Sequence, residues 1–281
     1  MGKIFMNVTM LRISAQRGFE RACLCGFGLL LVVGMVPYGQ AAGNELKGTY
    51  FESTRVIYPE EARQGKSIVL NNNSDKDFLL RAYVSLANVT TGLPEHPTRD
   101  FLVTPPLARL GAHQTRALRL LRTGGQFPTD RESVFFLTAS LIPNEGADTK
   151  KPASDNQAVV KFLTAVSVKV FWRPNGLDKP NAVEEAAGKL KGAIIGNVLT
   201  LSNPTPYYVT LRSLSVGGAD VPATDLVRLV PPLGQQDYPV PAGAKRASVI
   251  PVIWTAIKES GFDTTPFLSP VAVSSATGKQ P

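Results

Sequence analysis

Apolar and polar positions alternate along most of the chain from residue 48 to residue 174. The runs YFESTRVIY, KSIVLNN, FLLRAYVSL, TRALRLL, SVFFLTASLI and VVKFLTAVSVKVFWRP keep a period of two, and turn-rich clusters such as NNNSDKD, TTGLPEHP and RTGGQFPTD separate them. That period sends alternate side chains to opposite faces, as in a strand with one face on a core. No segment in this part keeps a helical period. About seven strands in ~125 residues predict an antiparallel β-sandwich.

The last run, residues 159–174, is about twice the usual strand length. Its even positions are Val160, Phe162, Thr164, Val166, Val168, Val170 and Trp172, an apolar face broken by one threonine. Its odd positions mix Lys161, Lys169 and Arg173 with Leu163, Ala165, Ser167 and Phe171. The polar stretch NEGADTKKPASDNQ before it predicts a mobile loop. After it, PNGLDKPNAVEEAAG carries the prolines and glycines of an interdomain hinge, with VEEAA able to form a short helical turn. A second set of runs follows: AIIGNVLTLSN, YYVTLRSLSV, DLVRLV and ASVIPVIWTAI. They predict a second, smaller β-sandwich.

The N-terminus departs from this pattern. Lys3, Arg12, Arg17 and Arg21 precede the apolar run ACLCGFGLLLVVGMV, and the small-residue stretch GQAAG follows Pro37. This is the plan of a secretory signal peptide cleaved after Ala41 or Ala42. A membrane anchor is the competing reading, but the run is shorter than the ~20 apolar residues a spanning helix needs. Most of the apolar run follows Cys25 instead of preceding it, which argues against its lipidation. The expected organisation is therefore a signal peptide over 1–42, a first domain over 43–174, a hinge over 175–188 and a second domain over 189–281.

Cleavage would remove Cys23 and Cys25, leaving a chain with no disulfide, no cysteine nucleophile and no thiolate metal site. The formal charge of +8 would fall to +5, since the removed segment carries four basic residues and Glu20. The remaining basic residues are scattered, with no stripe suited to a nucleic acid. His96 and His113 are the only histidines, and neither has a neighbour at metal-ligand or triad spacing. No nucleophile elbow, zincin motif or phosphate-cradling loop occurs. The sequence predicts a binding protein without cofactor or metal, and not an enzyme.

Several stretches carry a specific resemblance. STRVIYPEEARQGKSIVLNNNSD (53–75), TPPLARL (104–110), FPTDRESVFFLTASLIP (127–143), VSVKVFWRP (166–174) and NPTPYYVTL (203–211) occur in the order found in the pilus (fimbrial) chaperones of the chaperone–usher pathway. The likeness runs over roughly residues 48–270. It implies an all-β fold of two immunoglobulin-like β-sandwich domains in a boomerang arrangement, located in the periplasm. It also implies binding of pilus subunits, delivery to an outer-membrane usher and self-association when free.

The resemblance assigns roles to particular residues. Val160, Phe162, Thr164 and Val166 match the strand that such chaperones donate to the open groove of a subunit, a form of β-strand addition. Thr164 stands where the family has a larger aliphatic residue. Arg55 and Lys169 match the pair that holds the subunit's C-terminal carboxylate, a role suited to a planar fork beside a compact charge. Glu132, Arg173 and Glu259 match an interdomain salt-bridge network, Glu259 replacing the usual aspartate. Arg81, Thr138 and Ala139 also depart from the signature. The loop before the last strand is longer than in short-loop members of the family, whereas the cysteine pair typical of many long-loop members is absent and favours the short-loop branch. A pilus subunit would instead need an N-terminal donor extension, and a glycosidase would need paired carboxylates in a cleft.

Overall fold

The computed structural model describes residues 47–144, 163–245 and 247–274. The first ten strands are β1 (Thr49–Phe51), β2 (Arg55–Pro59), β3 (Lys66–Asn72), β4 (Phe78–Ala87) and β5 (Pro94–Pro97), then β6 (Phe101–Thr104), β7 (Leu107–Leu110), β8 (Thr115–Arg122), β9 (Ser133–Pro143) and β10 (Thr164–Arg173). They form two sheets, one ordered β1-β3-β8-β6 and one ordered β2-β10-β9-β4-β5 with β7 also on β4. The inward faces enclose one core, in which Leu70, Leu80, Leu118, Leu137 and Val170 are wholly buried. Each such side chain contributes about 1.5–3 kcal/mol by leaving water.

The run YFESTRVIY is not one strand. Thr49–Phe51 pairs antiparallel with β3 in one sheet, and Arg55–Pro59 pairs parallel with β10 in the other. The intervening Glu52–Thr54 bend carries the chain between the sheets, and its polar, exposed residues suit a crossing at the rim. This switch brings Arg55 beside β10.

The second sandwich contains α1 (Ala182–Gly188), β11 (Lys191–Ile195), β12 (Val198–Asn203), β13 (Leu211–Val216), β14 (Ala219–Asp220), β15 (Gly234–Pro239), β16 (Val249–Ala256) and β17 (Phe267–Ser274). The hydrogen-bonded order is β14-β13-β16-β17-β11-β12-β15. β17 pairs β16 through Phe267 to Ala272, then pairs β11 at Val273 and Ser274, so one strand joins both halves of the sandwich. Leu199, Leu201, Val209, Val216 and Val252 fill its core.

One expectation is filled out here and one changes. The segment read as a hinge contains α1, whose Ala182, Ala186 and Ala187 pack into the second core. Trp254 Nε1 donates to the Ala187 carbonyl at 3.0 Å and ties the helix end to β16. The run DLVRLV is not a strand: Asp225–Val227 forms a 3-10 turn, and Val230 makes an isolated bridge to Val209. Leu226 and Val230 enter the second core, whereas Leu229 packs with Val134 and Phe171 of the first sandwich. Three apolar residues shared between two clusters do not fit a flat ladder, and so short a run has no decisive period.

Candidate functional site

The C-terminal half of β10 is buried on both faces. Val168, Val170 and Trp172 point into the first core, while Phe171 and Arg173 point toward the second sandwich. Arg173 is fully enclosed and meets three carboxylates. Its Nε donates to Glu132 Oε1 at 2.6 Å, its Nη1 donates to Asp178 Oδ1 at 3.3 Å, and its Nη2 donates to Glu259 Oε1. Burial works against the charge, but Glu132 and Glu259 outweigh it and hold the guanidinium above its ordinary value. The Tyr207 ring lies 5.3 Å away, a cation–π contact.

Glu132, on the β8–β9 connection, completes this arrangement. Its second oxygen accepts from the Tyr208 backbone N–H at 2.8 Å, and its own N–H donates to the Pro206 carbonyl at 2.9 Å. Both partners lie in the NPTPYYVTL stretch of the second sandwich. One buried carboxylate thus links β10 and the second domain.

Arg55 and Lys169 sit side by side at the start of the parallel β2–β10 pair. Arg55 is buried, its Nη1 donates to the Ile257 carbonyl at 2.9 Å, and its Nε has no partner among the described residues. Burial lowers its pKa to about 10, although Glu132 and Glu259 pull upward. Lys169 Nζ lies 5.9 Å from the Phe136 ring centroid. Its pKa falls to about 8, first through burial and then through repulsion from Arg55. No carboxylate pairs with Lys169 among the described residues. Two adjacent, partly desolvated cations form a place for an anion, above all a carboxylate that accepts from both.

The same point on β10 marks the start of an open edge. From Lys169 to Trp172 the strand is paired on both sides; from Thr164 to Val168 it pairs only β9 among the described residues. Thr164 is exposed, and Val166 is half-buried against the core. Val160 and Phe162, together with most of the expected 144–157 loop, lie outside the described residues. An open edge offers its N–H and C=O groups to an added strand.

Side-chain reasoning missed several contributors. Asp178, five residues beyond Arg173, could have been found from that local spacing. The Ile257 carbonyl and the Tyr208 N–H could not, because backbone groups leave no mark in residue identity. The histidines have no part in this site: His96 is exposed on β5, and His113 Nε2 meets Asp75 on the surface at 2.8 Å.

Two connected β-sandwiches joined by a buried arginine, with a cation pair beside an open strand edge, have the two-domain architecture of an immunoglobulin-like chaperone. The chain belongs to the pilus-assembly chaperone family. Residues 48–178 match the N-terminal domain of the pili and flagellar-assembly chaperone PapD family, and residues 185–267 match its C-terminal domain. The chain is 32% identical over 237 residues to the Escherichia coli chaperone protein AfaB, covering 77% of this chain and 91% of AfaB. The SafB chaperone, solved in complex with the Salmonella enterica SafA pilin, superposes with a TM-score of 0.66 and 28% identity over 80% of this chain and 97% of that one. The E. coli chaperone DraB gives 0.65 and 31%, again over 80% and 97%. The family consists of chaperones, which are not enzymes, and its pilus chaperones are periplasmic.

Proposed function

We propose that this chain captures pilus subunits in the periplasm by lending them the open edge of β10, and that Arg55 and Lys169 hold the subunit's C-terminal carboxylate. The observation that carries this reading is the coincidence of two features at one residue. The cation pair stands where β10 loses its second neighbour. A carboxylate held there fixes the register of an incoming strand. Register matters because a slip by one residue would turn the wrong face of the strand to the groove. Val160, Phe162, Thr164 and Val166 then supply alternate side chains to the groove.

Residues 1–42 serve as a signal peptide removed on export. Residues 43–174 and 189–281 act as the two domains, with 175–188 connecting them through α1. The Glu132–Arg173–Glu259 cluster holds the cleft geometry, and the loaded subunit passes to an outer-membrane usher without nucleotide. Unloaded molecules self-associate to cover the open edge.

The deciding experiment recovers the tagged mature chain from the periplasm of its host and identifies bound proteins by mass spectrometry, with Lys169→Ala in parallel. The expected result is a stoichiometric subunit with wild type that is lost with the variant. Wild type recovered alone under fibre-expressing conditions overturns the reading.

A further inference from the structure

The turn after β16 reaches the first sandwich at three points. The Ile257 carbonyl accepts from Arg55 Nη1 at 2.9 Å, and Glu259 takes Arg173 Nη2. Gly261 is the third point. A β-carbon there would stand 2.8 Å from Thr54 Oγ1 and 3.6 Å from Thr54 Cγ2, and Thr54 directly precedes Arg55. The φ of Gly261 is +87°, in the left-handed region.

The turn behaves as one piece. Lys258 N donates to the Phe262 carbonyl at 2.7 Å, and Gly261 N donates to the Lys258 carbonyl at 3.0 Å. Ile257 bridges to Asp263, and its N–H donates to the Thr210 carbonyl at 2.9 Å. A push at Gly261 is therefore passed to the Ile257 carbonyl. That carbonyl is the hydrogen-bond partner that orients the planar Arg55 group, whose buried Nε has no partner among the described residues.

We propose that Gly261 is a positioning residue for the anion site. Its bare backbone lets the turn seat against Thr54, and that seating aims the Arg55 fork at the position beside Lys169. The inference rests on the carboxylate reading given above. Carboxylate recognition in the cleft thus depends on a contact that touches neither Lys169 nor the donated edge.

The test uses the mature chain and a synthetic peptide of alternating valine and threonine, made with a free C-terminal carboxylate and as its C-terminal amide. The readout is the ratio of the two affinities. Wild type is expected to favour the free acid by about tenfold or more, the size of a charge-assisted hydrogen bond. A wild-type ratio of one overturns the carboxylate reading itself. Gly261→Ala is expected to bring the ratio close to one. Adding Thr54→Ala to Gly261→Ala removes Oγ1 and Cγ2, leaving Thr54 Cβ at 3.8 Å, an ordinary contact, and is expected to restore it. Both variants carry the same backbone strain, so an unrestored ratio, or a Gly261→Ala ratio equal to wild type, overturns the proposal. Should Gly261→Ala fail to fold, Thr54→Ile presses on the contact from an exposed position. An unchanged ratio in that variant overturns the proposal and a reduced one supports it.

Discussion

Arg55 and Lys169 are register partners across the parallel β2–β10 pair, two cations held side by side, with Arg55 also bonded to the Ile257 carbonyl of the second sandwich. Both have pKa values lowered by burial, and Lys169 has no carboxylate partner among the described residues. A folded chain keeps such a pair only at a cost, because each charge is partly removed from water and repelled by the other. The proposed carboxylate site rests on this pair.

Removal of one cation should therefore separate stability from capture. Lys169→Ala is expected to leave the thermal midpoint of the free protein unchanged or raised, since it deletes a desolvated charge that forms no ion pair. The same variant is expected to lose subunit capture in a pull-down. A lowered midpoint together with retained capture would show that Lys169 is a structural residue.

Capture should also weaken at alkaline pH. The free protein's Lys169 loses its proton as pH rises through about 8, so its contribution to anion binding is complete below that value and fades above it. Stability moves in the opposite sense. The unfolded lysine keeps its proton up to an ordinary pKa of 10.5, so between about 8 and 10.5 the unfolded chain binds more protons, and the free fold gains stability as pH rises. Titration calorimetry at about pH 7 and about pH 9.5 should give weaker binding at the higher value for wild type. Lys169→Met should bind weakly at both values and with a smaller fall, and a parallel fall in both would remove Lys169 from the explanation.

Glu132 and Arg173 should behave in the reverse way to Lys169. Their side chains are 1% and 0% exposed, and the Arg173 charge depends on its carboxylates. Glu132→Ala leaves a buried guanidinium short of its main partner and frees the Tyr208 N–H, for an expected loss of about 3–5 kcal/mol. Denaturant unfolding measures this directly. Glu259→Gln should cost less, because that carboxylate is 28% exposed and its place can be taken by water.

Thr164 offers a gain of function. It is exposed at the open end of β10, so Thr164→Ile should leave the stability of the free chain within about 0.5 kcal/mol. In the proposed complex the larger side chain fills more of the subunit groove. One or two extra buried carbons are worth about 0.8 kcal/mol each, or several-fold in affinity. Slower exchange of a bound subunit for a competing strand peptide would register it; unchanged or faster exchange would mean that Thr164 does not enter a groove.

Sequence alone determined much of this protein. The period of two in FLLRAYVSL, SVFFLTASLI and TAVSVKVFWR specified strands, because which face a side chain takes is decided within two residues. The motifs around Glu132, Arg173 and Glu259 pointed to residues that the fold brings within bonding distance of one another. Only the tertiary structure decided that YFESTRVIY divides between two sheets, that DLVRLV is shared between two apolar clusters, and that Ile257 and Tyr208 serve the site through their main chains. The reason is physical. Alternation records what one segment needs, whereas sheet exchange, interdomain burial and backbone hydrogen bonds depend on which distant segment arrives beside it, and carbonyl and N–H groups are the same in every residue that could have carried them.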